Sequence, residues 1–539
     1  MIVLMAGEGP IATTALGGYR GVRSDDVDVW RGIAYAQRPV GDLRWRRARP
    51  VAPHDGVVDA DKFSAVCPQQ IMPAVPLGEN YTMSEDCLYL NVWTPAGAVD
   101  RDATYPVMVW LHGGAYMFGC GSQPVYDATH LVTDGKVIVV TINYRLGAFG
   151  FADFSSIDPD RFDTNPALSD VLLALTWVRD NIGAFGGDAA NTTLFGESAG
   201  GGLVTTLVTM PAAGGLFARA IAQSSPATSV YEQGRATFVA KRFLEALRHS
   251  GGSSEGSGQT EPQPADAQPT NLKPTELLTG ASADDLVAAS MVVFAEIPSD
   301  QPGIIAFTPI VDGDLVPQHP LDAYTGGTSL PVPLMIGTNK DEASLFVWMK
   351  SPLMPISPAN IERMFVGLKE DHPELELPDQ AQIYSAYSGL RPKVAGLGVA
   401  RDVAFRMPTV WVAEGHSRHQ PVYLYRFDWA TRMLRALRIG ATHATELPYL
   451  WGNLVSGPRD ITFKLGGKKT GEEISARMIA RWTAFAHGGV PSADDVEPQW
   501  PSYSADNRST LVIDATDSVV DDLDGELRTT WGEAVIGFR

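Results

Sequence analysis

Two pentapeptides set a serine between glycines in the spacing G-x-S-x-G. One runs from Gly196 to Gly200 around Ser198, and the other from Gly252 to Gly256 around Ser254. The spacing suits a nucleophilic hydroxyl because such a serine works from a sharp strand-to-helix turn, where the backbone is too crowded for side chains on either flank. The pattern alone is weak, since an ordinary helix N-cap serine produces the same match. Context separates the two. Ser198 follows the apolar run TTLF (192–195) and precedes a helix-competent stretch, GGGLVTTLV. Ser254 lies in HSGGSSEGSGQTEPQPADAQPTN (249–271), which is Gly, Ser, Pro, Gln and acid with almost no apolar residue. Such a tract cannot offset its ordering entropy by burial, so a mobile surface loop is expected there and Ser254 is set aside.

A second feature strengthens Ser198. Residues 110–116 read WLHGGAY, directly after an apolar run and about 80 residues before the serine. Hydrolases of this geometry bind the developing oxyanion with one backbone N–H just past the nucleophile and others from a glycine-rich loop after an early strand. The hydroxyl also needs a general base, and the base an orienting carboxylate, in the chain order Ser, acid, His. For the acid, Asp341 and Glu342 in IGTNKDEASLF stand just past an apolar run, at the carboxyl end of its strand, where the sites of open α/β sheets lie. Candidate bases are His372, His416, His419, His443 and His487. His416 and His419, in EGHSRHQ, read as a polar loop, and His487 falls near the end of a helix, where it would meet the last carbonyls. His443, in IGATHATELP, follows glycine and small residues on a loop suited to a base, and spacing makes it the favourite.

The elements that must position these groups alternate. Residues 105–112, 136–143, 192–195, 333–338 and 421–427 are short Val- and Ile-rich or aromatic runs that read as buried strands. Residues 169–183 carry Val171, Leu175, Val178 and Ile182 on one helical face, with Ser169 as N-cap, and 472–487 read as a late helix. Alternation of this kind predicts a mostly parallel sheet covered on both faces.

Composition narrows the partners. The chain has 539 residues with 42 Lys+Arg against 62 Asp+Glu, a formal charge of −20, which disfavours nucleic acid and anionic membrane surfaces. No apolar run is long enough to span a membrane, and three cysteines are too few for a disulfide scaffold. The opening MIVLMAGEGP lacks the basic start and long apolar stretch of a secretory signal, so a cytoplasmic enzyme is expected.

Taken with SEDCLYLNVWTP (84–95), the serine motif and the HGGA loop make this sequence resemble the carboxylesterase type B family, which includes the cholinesterases. Matching blocks include VWRGIAYAQRPVGDLRW (29–45), VTINYRLGAFGF (140–151), WVRDNIGAFGGDAANTTLFGESAGGG (177–202), TPIVDGDLVP (308–317) and WPSYSADNRSTLVID (500–514). The resemblance covers nearly the whole chain apart from 249–271. It implies an α/β-hydrolase fold over residues 1–539 as one domain, and a serine carboxylesterase that uses neither metal nor cofactor. It puts Ser198 at the nucleophile, Glu342 at the acid and His443 at the base. Gly114, Ala115 and Ala199 fall on oxyanion donors, and Glu197 and Ser224 on positions next to the triad. It also pairs Arg31 with Glu85 and Arg145 with Asp170 as buried ion pairs, and sets Cys67 and Cys87 on the first disulfide positions. Cys120 reads as a free, small hydrophobe.

Two departures bear on substrate. The loop between Cys67 and Cys87 holds no tryptophan for cation–π contact with a quaternary ammonium, which argues against choline esters. The third residue of the glycine run is Ala115, which keeps the N–H but adds a methyl to the pocket wall. A small-molecule ester is therefore the expected substrate, probed by broad acyl and alcohol series. A non-catalytic binding protein on this scaffold would lack the serine. An interfacial lipase would need a large apolar lid, and PQQIMPAVPLGENYTM (68–83) is only moderately apolar.

Overall fold

The structure, a computed structural model, describes residues 9–101, 104–250, 272–374, 380–387, 392–455, 457, 460–493, 496–532 and 534–539. The loop expected at 249–271, with Ser254, lies outside these residues from 251 onward.

The main sheet takes its strands in chain order as β1 (Val22–Arg23), β2 (Val27–Ala34), β3 (Tyr89–Pro95), β4 (Tyr105–Leu111), β5 (Ile138–Ile142), β6 (Gly187–Glu197), β7 (Arg219–Gln223), β8 (Leu334–Asn339), β9 (Val422–Phe427), β10 (Thr510–Ile513) and β11 (Ser518–Val520). Their spatial order is β11-β10-β9-β8-β7-β6-β4-β5-β3-β2-β1. Strands from β5 through β10 run parallel, and antiparallel strands flank them on both sides. The central strands are apolar on both faces because both faces are covered. Along β4, Val107, Val109 and Leu111 enter one core, while Met108 and Trp110 enter the other with Phe195, Ile221 and Met335.

Register sets the chemistry. Glu197 pairs with Gln223, and Gln223 with Gly337, so β6, β7 and β8 end side by side. The next residues along the chain from these ends include Ser198, Ser224 and Glu342. The crevice beyond the carboxyl ends of such strands is where an open α/β sheet holds its site.

The helices α1 (Pro166–Asn181), α2 (Ala199–Leu207), α3 (Met407–His416) and α4 (Lys468–Gly488) cover the sheet. Helix α1 begins earlier than its apolar face predicts. Pro166, whose fixed φ suits the first turn, starts it, and Asn165 precedes it. Ser169 is thus inside the helix, where its hydroxyl donates to the Pro166 carbonyl and accepts the Ala48 N–H. Of the stretch read as a polar loop, residues 414–416 are instead the end of α3, while 417–420, with the exposed His419, form the turn that follows. That helix is buried nearly all round, so no amphipathic period marks it. His416 is a core residue whose ring bonds Ser329 Oγ at 2.9 Å and the Val332 carbonyl at 2.8 Å.

One predicted ion pair forms and one does not. Arg145 and Asp170 make a buried bidentate pair at 2.6 and 2.9 Å. Glu85 pairs with Arg44, not Arg31, through two bonds of 2.5 and 2.7 Å. The guanidinium fork of Arg44 takes both carboxylate oxygens, while Arg31 lies over the Phe63 ring and reaches the Asp61 carbonyl. Cys67, Cys87 and Cys120 are buried and free, with Cys67 Sγ accepting the Leu146 N–H.

Candidate active site

Ser198 sits between β6 and α2 with φ 57° and ψ −124°, a conformation that costs energy for any non-glycine residue. The flanking glycines make it attainable. A Cβ on Gly196 would lie 2.6 Å from the Gly200 carbonyl oxygen, and one on Gly200 would lie 2.0 Å from that of Leu111. The Ser198 N–H donates to the Gln223 carbonyl, tying the turn to β7.

The hydroxyl thus held lies 2.7 Å from His443 Nε2, and His443 Nδ1 lies 2.6 Å from Glu342 Oε2. The other Glu342 oxygen accepts from the Ser224 hydroxyl at 2.6 Å and the Asn339 N–H at 2.7 Å. Asp341, the neighbouring acidic candidate, points elsewhere. Its carboxylate accepts the Ala441 N–H at 3.1 Å and so pins the loop that carries His443. The rings of Phe346 and Phe405 lie 5.3 and 4.7 Å from the imidazole and shield it.

Two further candidate histidines hold structure. His372 donates to the Gly537 carbonyl, and His487 to the Gly135 carbonyl on a separate helix instead of its own last turn. His112, in the glycine loop, donates to the Gly113 carbonyl and stacks on Tyr144; burial lowers it to about 4, so it stays neutral. That loop turns tightly, with the Met117 and Phe118 N–H groups both donating to the Gly114 carbonyl. Gly114 has φ 121°, and a Cβ there would lie 2.1 Å from the Phe118 carbonyl oxygen. Gly114 and Ala115 line the same cavity as Ser198, and Ala199 borders a second cavity that Ser198 also reaches.

The electrostatics are one-sided. Glu197 Oε1 is 3.3 Å from His443 Nε2, so the imidazole has a carboxylate at each nitrogen. Glu446 is a third buried carboxylate, bonded to Gln223 Nε2 at 3.2 Å and Asn339 Nδ2 at 2.5 Å. Burial pulls the His443 pKa down, but Glu197, Glu342 and Glu446 outweigh it and raise it to about 9. Burial dominates at Glu197 and pushes it up to about 8 against the pull of the imidazole, with Glu446 and Glu342 adding to the rise. Glu446 is likewise raised, chiefly by burial and then by Glu342. Sequence reasoning did not single out Glu446. Its signal was there: a carboxylate three residues past the candidate base, in a run otherwise of small and apolar residues. Among the described residues no group of three or more His, Cys, Asp or Glu is placed to hold a metal ion.

A mostly parallel sheet that delivers a serine from the end of a central strand, with histidine and acid on later loops, defines an α/β-hydrolase. The chain belongs to the carboxylesterase family, whose model matches residues 8–530. It is 36% identical over 533 residues to para-nitrobenzyl esterase of Bacillus subtilis (strain 168), covering 96% of this chain and 97% of that protein. It is 32% identical to phenmedipham hydrolase of Pseudarthrobacter oxydans, covering 94% and 95%. A solved structure of a thermophilic PNB esterase superposes with a TM-score of 0.80 at 33% identity, covering 97% of this chain and 99% of that one. The protein is a carboxylic ester hydrolase. Among the described residues, no single helix is long and apolar enough to cross a membrane.

Proposed function

We propose that the protein is a serine carboxylesterase acting through an acyl-enzyme, with Ser198 as nucleophile, His443 as general base and acid, and Glu342 as the orienting carboxylate. The observation that carries this reading is the unbroken chain Ser198 Oγ–His443 Nε2–His443 Nδ1–Glu342 Oε2, with links of 2.7 and 2.6 Å. Ser198 Oγ bonds to the ester carbonyl carbon while its proton passes to His443 Nε2. The carbonyl oxygen becomes an oxyanion facing the N–H groups of Gly114, Ala115 and Ala199, each worth roughly 3–4 kcal/mol by analogy with measured oxyanion donors. The carbon–oxygen bond to the alcohol then breaks as His443 returns its proton to the departing oxygen. Water repeats the sequence and frees Ser198. Glu342 keeps Nδ1 protonated and stabilises the imidazolium, and Ser224 and the Asn339 N–H fix Glu342 in turn.

The whole chain works as one hydrolase domain in this reading, on small esters with short to medium acyl groups, in the cytoplasm; cell fractionation checks the last point. The decisive experiment is Ser198→Ala assayed with p-nitrophenyl acetate and with an organophosphate label. Loss of both hydrolysis and labelling is expected, whereas full activity would refute the assignment. Ser254→Ala is the matched control and should change neither.

A further inference from the structure

Two cavities meet at Ser198. One is lined by Gly114, Glu197, Ser198 and His443. The other is smaller, and is lined by Ala115, Ser198 and Ala199 and also by Ile305, Met364 and Phe405. The mechanism proposed above assigns them. His443 must hand its proton to the departing alcohol oxygen, so the alcohol occupies the cavity that His443 lines. The acyl group then points into the other, whose walls are mostly apolar.

Phe538 is among the residues that line the acyl cavity. Phe538 also borders a third cavity, shared with Ile304, Val366, Gly367 and charged side chains including Arg235 and Arg363. Val366 is 55% exposed, so this outer cavity opens at the surface. Phe538 is the residue common to both linings.

The ring is held from several sides. A Cβ on Gly303 would lie 2.9 Å from it, and one on Gly367 3.3 Å, so its neighbours are packed to the limit. The Arg235 guanidinium lies 5.5 Å from its centroid. The segment is pinned on either side of the ring, by His372 Nε2 donating to the Gly537 carbonyl at 2.6 Å and by the Arg539 guanidinium on Asp322 at 2.7 Å. The Arg539 N–H adds a bond of 3.1 Å to Asp371.

We infer that Phe538 is a specificity-determining partition: its ring closes the acyl cavity and sets the longest acyl chain the enzyme accepts, while the larger alcohol cavity tolerates bulk. The substrates this favours are esters of short to medium apolar acids with alcohols of widely varying size. The inference rests on the triad reading for the assignment of the two cavities.

Phe538→Ala opens the acyl cavity into the outer one. In a p-nitrophenyl series from acetate through butyrate and octanoate to dodecanoate, the ratio of kcat/KM for dodecanoate over butyrate should rise at least about tenfold, the scale on which apolar pockets discriminate chain length. Phe538→Leu, which keeps an apolar side chain and guards against misfolding, should move the ratio the same way by less. The ratio for benzyl over ethyl butyrate, which varies only the alcohol, should not follow. Titration with p-nitrophenyl diethyl phosphate counts reactive serines in parent and variants. If the parent is titrated and the acyl ratio stays flat in both variants, or the alcohol ratio shifts as much as the acyl ratio, the partition is wrong and the triad stands. If Ser198 is not what the phosphate labels, the triad reading fails first.

Discussion

Two of the buried charge clusters among the described residues are built on opposite plans. Arg145 and Asp170 form a balanced pair: one cation, one anion, both almost fully buried, joined by two bonds, with the Arg145 N–H and the Pro166 carbonyl taking up spare valences. At the other, three buried carboxylates, Glu197, Glu342 and Glu446, surround a single imidazole. The first neutralises its charge in the resting protein. The second sets several carboxylates against one imidazole and so favours its protonated form, the form that the proposed attack by Ser198 produces. Balance serves the fold, and imbalance serves a charge that exists only part of the time.

The largest expected effect separates the two plans directly. Glu342→Gln keeps the volume but sets an amide against His443 Nδ1, the Ser224 hydroxyl and the Asn339 N–H, which all need an acceptor. A fall in kcat on the order of 10⁴-fold is expected with the protein still folded, read by steady-state kinetics beside a melting curve. Asp170→Asn should do the reverse. It leaves the Arg145 charge buried without a counterion and should cost about 3–5 kcal/mol of stability, measured by denaturant titration. Turnover per titratable serine should be retained. If Glu342→Gln lowered stability and spared kcat, the contrast between the clusters would collapse.

Much of this was legible in the sequence, and the division is physical. The turn around Ser198 was readable because a crowded strand-to-helix turn demands glycines at fixed offsets, and those offsets survive in one dimension. The glycine loop at 113–115 was readable for the same reason. Charge partners were not. Arg31 and Arg44 stand in one short stretch, and only the fold decides that Arg44 meets Glu85. Helix α3 was missed at His416 because a helix buried on all sides has no polar stripe to betray it. Phe538 packs against neighbours far away in the chain, such as Gly303, so no local pattern points to it, and the bonds of Glu446 to Gln223 and Asn339 are likewise invisible in one dimension.

Glu197 sharpens the comparison through pH. His443 can act as a base only when neutral, so kcat/KM falls as pH drops through its pKa. The surrounding carboxylates raise that pKa to about 9, which places the acid limb of the profile above that of an ordinary histidine. Glu197→Gln removes a neighbour that favours the imidazolium. The pKa must fall, and the limb should move to lower pH by on the order of one unit. A limb that stays put, or moves up, would mean that Glu197 carries no charge while His443 titrates.

Glu446 tests the same imbalance at longer reach. It contributes least among the carboxylates that raise His443, so Glu446→Gln should move the limb in the same direction as Glu197→Gln but by less. The variant also alters bonding. Glu446 offers one oxygen to Gln223 Nε2 and the other to Asn339 Nδ2, whereas a glutamine has a single oxygen and turns its own N–H groups toward one of those donors. A stability loss of about 1 kcal/mol is expected from that mismatch. The pH profile and the melting curve therefore report different roles of one side chain. A lost bond with no movement of the limb would make Glu446 a structural group of the Asp170 kind, placed near the site but not part of its charge imbalance.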